Sequence, residues 1–424
     1  MTTVPEELDV AATAPLAGIR VLDATQGISG PYASSLLMGL GADVVKLEPV
    51  DGDWLRAVGP PWIDGMGAAA YQLNRGKASV ALHWMSPRGT TVLLRMLRQV
   101  DVFLHDLTLT RAAEVGLTPD VLRRTNPDLI DVSVTPLGEV GPWADLPATE
   151  LEVQSLSGVF RYLGQIDEPP VRLGADVGGI LGGCTAVQAV LAGLLARDTT
   201  GGQHAAVSQL GAVMGANNVM IAALDAPDAW EGFHCNAATY PPDRGIATAD
   251  GRLYYGQPLR SEDAWQEFCR AIGAEALLED PRFATRALRM PNMADLRREL
   301  EPYFVKIPTD ELMELIVRSD GIGVPVHDYA TLRDHAQLAA LQQIVPAAGA
   351  ETLSLPWRRQ GEEFAAVTKA TAAVGEHTVR FLRSCGLADA ELSELTASGL
   401  IHQVIEVPGR AGSDGARVAE GRPR

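Results

Sequence analysis

The first half of the chain alternates short apolar runs with segments of helical period. Apolar runs bounded by turn residues predict buried strands at 18–25, 43–49, 78–84, 101–106 and 128–137. Segments at 29–42, 87–100 and 117–126 have the spacing and end signals of helices. A strand, a helix and a second strand in close succession form a βαβ unit, so this pattern predicts a parallel sheet in an α/β domain.

Proline positions support two of these helix starts. Pro31 and Pro119 each stand in the predicted first turn, where the missing N–H of proline costs no hydrogen bond. Thr118 precedes Pro119 and is predicted to cap that helix.

Two apolar segments rich in glycine and alanine follow, at 179–197 and 201–224. Both predict helices whose small residues let backbones approach closely, in buried packing or in a subunit contact. We expect neither to be long and bare enough to span a membrane, so no membrane partner is predicted.

The pattern changes after residue 226. TADGRLYYG at 248–256 predicts a hairpin with an Asp-Gly turn, and helices are predicted at 261–273, 293–306 and 309–321. The predicted organisation comprises an N-terminal tail at 1–17, a large α/β domain at 18–225, a small α+β domain at 226–345, a return to the large domain at 346–406, and a flexible tail at 407–424.

Charge and cysteine content exclude several classes of function. The 424-residue chain has a formal net charge of −18, which disfavours nucleic acid as a partner because phosphate neutralisation needs clustered Lys and Arg. Its four cysteines are far apart and predict neither a metal site nor a disulfide framework. The acidic N-terminus lacks the apolar core of a signal peptide, so we expect a cytoplasmic protein.

Several motifs in one order carry a family resemblance. They are LAGIRVLDATQGISGPYASSLLMGLGADVVKLEPVDGDWLR at 16–56, YQLNRGKASVAL at 71–82, LLEDPRFATRALRMPN at 277–292, GIGVPVHDYATL at 321–332 and GEHTVRFLRSCGL at 375–387. Together they resemble family III CoA-transferases, a superfamily that includes formyl-CoA transferases, carnitine CoA-transferases and α-methylacyl-CoA racemases. The resemblance implies a Rossmann-like large domain built from both chain ends, an inserted small α+β domain and an interlocked dimer.

The resemblance also implies a carboxylate nucleophile that attacks an acyl-CoA thioester. Its position in PPVRLGADVGGILGG (169–183) falls on Gly179, and Asp176 lies three residues earlier. A second acidic position of the family falls on Glu150. The candidate catalytic residues are therefore Glu150 and Asp176, although Glu150 could instead be a carboxylate favoured at a helix start and Asp176 a helix cap.

Coenzyme A is the cofactor that the resemblance implies, bound as the acyl-CoA substrate and without a metal. Its phosphates need cations, and the NRGK stretch supplies Arg75 and Lys77 beside Asn74, with Arg56 as a further candidate. The alternative for NRGK is a solvated turn before a strand. Two lone histidines, His204 and His377, are interpreted as structural.

Three functions remain open. The first is CoA transfer between an acyl-CoA and a small carboxylic acid by a homodimer. The second is racemase-like chemistry at the α-proton by Glu150, for which the expected histidine partner is missing; between residues 84 and 203 the sequence has only His105. The third is a catalytically silent subunit that forms a heterodimer with an active paralogous subunit.

Overall fold

The computed structural model describes residues 14–162, 169–216, 218, 245–256, 261–358 and 365–404. The predicted tails at 1–17 and 407–424 lie mainly or wholly outside these residues. The predicted domain boundary at 225 also lies outside them, as does most of the segment that follows Ala216.

The chain forms two compact units. The first comprises Met1–Ser157, Gly174–Ala216 and Ala336–Arg424, and the second comprises Gly158–Leu173 and Asn217–His335. Both ends of the described chain therefore belong to the first unit.

Twelve strands occur in the described residues. They are β1 (Arg20–Asp23), β2 (Asp43–Glu48), β3 (Ala78–Leu82), β4 (Val102–His105), β5 (Ile130–Thr135), β6 (Gln203–Ser208), β7 (Ile246–Ala247), β8 (Arg252–Gly256), β9 (Ile322–Pro325), β10 (Ile344–Ala347), β11 (Ala350–Leu353) and β12 (Ile401–His402).

The first unit is built on a seven-stranded sheet with the order β12-β3-β2-β1-β4-β5-β6. Six strands are parallel, and β12 pairs antiparallel with β3 at one edge. The predicted parallel sheet is confirmed. Its six parallel strands have the order β3-β2-β1-β4-β5-β6, which is that of doubly wound nucleotide-binding folds. In such sheets ligands bind beyond the carboxyl ends of the strands, where the order reverses, which here is between β1 and β4.

Eleven helices of the first unit lie within the described residues. They are α1 (Ser29–Gly39), α2 (Ala68–Leu73), α3 (Pro87–Leu97), α4 (Leu109–Glu114), α5 (Pro119–Thr125), α6 (Glu150–Leu156), α7 (Val177–Thr200), α8 (Gln209–Ala216), α15 (Ala336–Ala340), α16 (Thr378–Ser384) and α17 (Asp389–Ala397). The prolines at 31 and 119 lie in first turns as predicted, but the Thr118 side chain makes no capping hydrogen bond.

Alternate residues of each parallel strand enter cores on the two faces of the sheet. On one face, Leu22 and Phe103 pack with helices α3, α16 and α17. On the other, Val21 and Val102 pack with α1 and α7. The alternation is the two-residue period of a strand that is covered by helices on both sides.

The prediction of a helix over 201–224 is wrong at its start. Gly201 has a φ of +70° and ends α7, and Gly202 N–H then donates to the Pro127 carbonyl at 2.7 Å. The chain continues as β6, which pairs with β5 and satisfies that strand's backbone groups. Helix α8 begins only at Gln209.

Helix α7 also differs from its prediction. It runs from Val177 to Thr200 and is long and apolar enough to cross a membrane by length and composition, contrary to our expectation. It packs against α1 and β5, and a core helix of a soluble protein passes the same test.

The second unit contains the predicted hairpin. Strands β7 and β8 pair antiparallel around a turn with Asp250 and Gly251, and β9 adds to β8. The described part of this unit contains the helices α9 (Glu262–Ala271), α10 (Ala276–Glu279), α11 (Arg286–Arg289), α12 (Met293–Phe304), α13 (Thr309–Arg318) and α14 (Tyr329–Leu332). Strand β9 was not predicted, nor was the β10–β11 hairpin of the first unit.

Short 3-10 helices complete the described secondary structure. They are Trp54–Ala57, Ile63–Gly65, Val159–Tyr162 and Met290–Asn292.

Candidate active site

Glu150 is the first residue of α6. Thr149 caps this helix, and the Glu152 carboxylate accepts a hydrogen bond from the Thr149 backbone N–H at 2.7 Å, which completes a capping box. Because the capping box uses Thr149 and Glu152, the helix start is fixed without the Glu150 carboxylate. That carboxylate remains available for contacts outside its own helix.

The Glu150 carboxylate accepts three hydrogen bonds. Gly178 N–H donates to Oε1 at 2.8 Å and Gly179 N–H donates to Oε2 at 2.9 Å. The Gln154 side-chain amide also donates to Oε1, at 2.6 Å. Glu150 thus binds the free N–H groups at the start of α7, where the helix dipole favours a negative charge.

Two glycines make this contact possible. A Cβ on Gly178 would lie 2.7 Å from Val153 Cγ1 and 3.1 Å from Glu150 Oε2. A Cβ on Gly179 would lie 2.9 Å from Ile28 Cγ2, 3.0 Å from Ile28 Cβ and 3.7 Å from Glu150 Oε2. The carboxylate of Glu150 therefore occupies the space beside the position at which the resemblance expects an aspartate.

Gly179→Ala is expected to lower the free energy of unfolding by about 1–3 kcal/mol, because the new methyl group would overlap the stiff, β-branched Ile28 side chain. Urea denaturation measures the change. Gly215→Ala is the matched control, since that helical glycine has open space around it. Equal behaviour of the two variants would show that Ile28 moves away without cost.

Asp176 is the N-cap residue of α7, but its side chain makes no capping hydrogen bond. The N–H groups of the first turn are bonded by Glu150 instead. The structure therefore brings both predicted catalytic carboxylates to the start of α7. Glu150, not Asp176, accepts the hydrogen bonds from the N–H groups of that first turn. The simple interpretation of Asp176 as a side-chain cap is wrong.

Lys77 and Asn74 meet in the interior. The Lys77 ammonium donates to Asn74 Oδ1 and to the Pro31 carbonyl, both at 2.9 Å, and it lies 3.3 Å from Asp23 Oδ2. Burial lowers the pKa of Lys77 to about 8, against the opposing effect of Asp23. The predicted cofactor cation is thus already paired inside the protein.

Arg56 is paired as well. Its Nε and Nη2 atoms donate to the two oxygens of Glu48, each at 2.7 Å. Burial by itself would raise the pKa of Glu48, but Arg56 reverses that effect and the pKa lies below its usual value. Arg75, by contrast, makes no such bidentate contact and is described below with the pocket that it lines.

Sequence reasoning missed the central cation of this region, Lys46. Its ammonium lies 3.2 Å from Asp53 Oδ2 and 3.7 Å from Asp23 Oδ1, and it donates to the Thr25 carbonyl. Burial by itself would raise the pKa of Asp23, but Lys46 and Lys77, helped by two hydroxyl groups, lower it to about 2. A signal for the buried Lys46 was present in DVVKLEP (43–49), where charged residues interrupt a buried strand.

These groups fix the loop that follows β1. Asp106 Oδ2 accepts from the Gln26 N–H at 3.0 Å, and Asp53 Oδ1 accepts from the Gly27 N–H at 3.3 Å. Ile28 comes next and contacts Gly179. The loop therefore begins at the end of β1, beside the point where the strand order reverses, and ends in contact with the start of α7.

A second buried network lies on β4, β5 and β6. Asp131 contacts His105 Nε2 at 3.1 Å and His204 Nδ1 at 2.7 Å, and His204 Nε2 contacts Glu139 at 3.0 Å. Hydrogen bonds to the two carboxylates raise the pKa of His204 to about 10. His204 is therefore a structural imidazolium at neutral pH.

His204→Gln is expected to lower the free energy of unfolding by about 3 kcal/mol at pH 6, since it leaves two carboxylates without their shared cation. The folded-state pKa lies above the ordinary 6.5, so the stabilisation is complete below pH 6.5 and is lost as pH rises through 10.

Chemical denaturation of both proteins between pH 6 and 10 measures this difference, and His83→Gln is an exposed control. A difference that does not change with pH would contradict the ion pair.

Within the described residues, no group of three or more His, Cys, Asp or Glu side chains is arranged to hold a metal ion. The candidate site consists of a carboxylate at a helix start beside a loop that is fixed by buried ion pairs.

Two curated proteins similar to this chain are CoA-transferases. A family model described as CoA-transferase family III matches residues 16–378. A succinate–glutarate CoA-transferase of Agrobacterium fabrum is 32% identical over 296 residues, which are 67% of this chain and 73% of that protein. A formyl-CoA:oxalate CoA-transferase of Streptomyces avermitilis is 29% identical over 416 residues, covering 92% of this chain and 100% of that protein.

A solved structure is also similar to this chain. A CAIB/BAIF family protein from Brucella suis superimposes with a TM-score of 0.81 at 25% identity, over 88% of this chain and 99% of that one. These similarities assign no role to single residues, so the site residues remain predictions.

Proposed function

The chain belongs to CoA-transferase family III, and on this premise we propose that it transfers CoA between an acyl-CoA thioester and a small carboxylic acid, with Glu150 as the reacting carboxylate. One observation carries the assignment of Glu150. Its carboxylate lies on the N–H groups of Gly178 and Gly179, beside the position where the family resemblance expects the nucleophile.

The bonds made and broken in the proposed reaction involve only this carboxylate and the two substrates. A Glu150 oxygen attacks the thioester carbonyl, the C–S bond breaks, and CoA departs as a thiolate. The product on the enzyme is an acyl–glutamyl anhydride. The thiolate then attacks the glutamyl carbonyl. The first acid leaves, and the enzyme now carries CoA as a glutamyl thioester. An incoming carboxylate then attacks the enzyme–CoA thioester, the two steps run in reverse, and the acid leaves as its CoA thioester.

The N–H groups of Gly178 and Gly179 have two roles in this scheme. They hold the carboxylate in place before attack. They also point toward the oxygen that becomes negative when the glutamyl carbonyl is attacked, as backbone donors do in an oxyanion hole.

The test is exchange between a thioester and a labelled acid. The purified full-length protein is incubated with succinyl-CoA and ¹³C-glutarate, or with formyl-CoA and ¹³C-oxalate, and the thioesters are analysed by mass spectrometry. We expect the label in a new CoA thioester. Deuterium uptake at the α-carbon from D₂O, without exchange, would instead support racemase-like chemistry.

No described contact favours that racemase-like alternative. It needs a second acid–base group, and His105 has both ring nitrogens bonded, to Asp131 and to the Leu107 N–H at 3.2 Å.

A specific observation does favour a second candidate, a catalytically silent subunit. Three donors hold the Glu150 carboxylate, while Arg56 and Lys77 pair with internal carboxylates rather than facing a ligand. Such a subunit would form a heterodimer with an active paralogue. It would show no exchange alone, and exchange by the mixed dimer would not change when Glu150 is replaced.

The proposal includes CoA as the carrier, a dimeric protein and a cytoplasmic location. Sedimentation of the purified protein tests the dimer. Fractionation of the producing cells tests the location.

A further inference from the structure

A pocket of about 590 Å³ opens in the first unit, between α1, α2 and the β10–β11 hairpin. Its volume is in the range of small-molecule sites, and most of its wall is apolar. The main apolar contributors are Leu36, Leu73, Ile344, Leu353, Leu355 and Val367. Glu150 and the glycines at the start of α7 are not part of this wall.

Arg75 belongs to the wall of the pocket and is 1% exposed. Its Nε donates to Gln72 Oε1 at 2.9 Å, and its Nη1 donates to the Lys369 carbonyl at 3.3 Å. The guanidinium lies 4.6 Å from the centre of the Tyr71 ring. Nη2 is buried and has no hydrogen-bond partner among the described residues.

This arrangement is unusual within the protein itself. The other buried basic side chains of the described residues each have a carboxylate partner: Lys46 and Lys77 pair with Asp23, and Arg289 pairs with Glu262. Arg75 has none in the same set of residues. Because a guanidinium stays charged even when it is buried, this cation needs an anion from elsewhere.

We propose that the pocket binds a small monocarboxylic acid with an apolar chain, whose carboxylate neutralises Arg75. The charge of Arg75, which has no carboxylate partner among the described residues, suits a carboxylate, and the apolar wall suits a hydrocarbon chain. The acidic residue in the wall, Glu351, disfavours a more highly charged anion such as a diphosphate. The sequence predicted that Arg75 binds the phosphates of CoA, and the proposal gives it this separate ligand instead.

The site is independent of the proposed transfer reaction, so it can be tested without any thioester. Octanoate and 1-octanol are titrated by calorimetry into the full-length protein, into Arg75→Met and into Ala365→Trp, which fills the pocket from another part of its wall. The methionine removes the charge at similar length, and Arg111→Met is the exposed control.

We expect octanoate to bind the natural chain at least tenfold more tightly than octanol. Arg75→Met should lose this preference, Ala365→Trp should bind neither compound, and Arg111→Met should behave as the natural chain does. Saturating CoA should leave octanoate binding unchanged.

Three results would overturn the proposal: equal affinity for acid and alcohol, undiminished octanoate binding by Arg75→Met, or no octanoate binding by the folded natural chain. Displacement of octanoate by CoA would also overturn it, by assigning the acid to the CoA site. Thermal melting of each variant confirms that a lost signal does not come from unfolding.

Discussion

Lys46→Met is expected to lower the free energy of unfolding by about 3–5 kcal/mol, the typical cost of removing one partner from a buried ion pair. Lys46 is 1% exposed, and its removal leaves Asp53 without a cation and Asp23 with Lys77 alone. The Thr25 carbonyl also loses its donor. Guanidinium denaturation followed by circular dichroism measures the loss.

The matched control is Lys306→Met, at an exposed lysine whose nearest described partner is the Tyr303 ring at 5.7 Å. Its expected cost is below about 1 kcal/mol. A similar small cost for Lys46→Met would mean that water or structural relaxation compensates Asp23 and Asp53. Partial proteolysis of the two variants would then show whether the loop after β1 still holds its position.

Glu150→Gln is expected to reduce CoA transfer by at least about 10³-fold, because an amide oxygen is a poor nucleophile and cannot form the anhydride. The variant should stay folded, since the amide oxygen can still accept one of the N–H groups of Gly178 and Gly179. Steady-state exchange of labelled acid measures activity.

Trapping the intermediate with hydroxylamine or borohydride, followed by digestion and mass mapping of the peptides, locates the reacting carboxylate. An adduct on Glu150 in the natural chain, absent from Glu150→Gln, is the expected result. An adduct on Asp176 would instead identify the residue that precedes α7 as the nucleophile.

The control for this experiment is Glu152→Gln, two residues along the same helix. That carboxylate is part of the capping box and contacts Thr149, not the start of α7. It should lower stability slightly and leave transfer intact. Undiminished activity of both variants would identify Glu150 as a helix-binding carboxylate and exclude it as the nucleophile. Absence of exchange by the natural chain and by both variants alike would support the silent-subunit candidate.

The sequence by itself determined the layered α/β architecture. Apolar runs such as those around Val21 and Val102 have no polar face, so they had to be buried between two layers of helices. Turn residues and prolines located the starts of α1, α3 and α13, because these are local signals that depend on few neighbours. The family motifs added the expected CoA chemistry and identified Gly179 as a departure.

Only the tertiary structure decided where the charges go. Lys46, Lys77 and Asp23 are distant in sequence, and their pairing depends on how β1, β2 and β3 lie side by side. The edge strand β6 was missed because its pairing with β5, rather than its own composition, makes it a strand.

The same reason applies to the two functional assignments. Nothing in the sequence shows that Glu150 reaches Gly178 and Gly179, since the contact joins the starts of two helices. Nor does the sequence show that Arg75 lacks a carboxylate partner among the described residues while Arg56 has one. Hydrogen bonding and burial depend on distances across the folded chain, which the order of residues alone does not state.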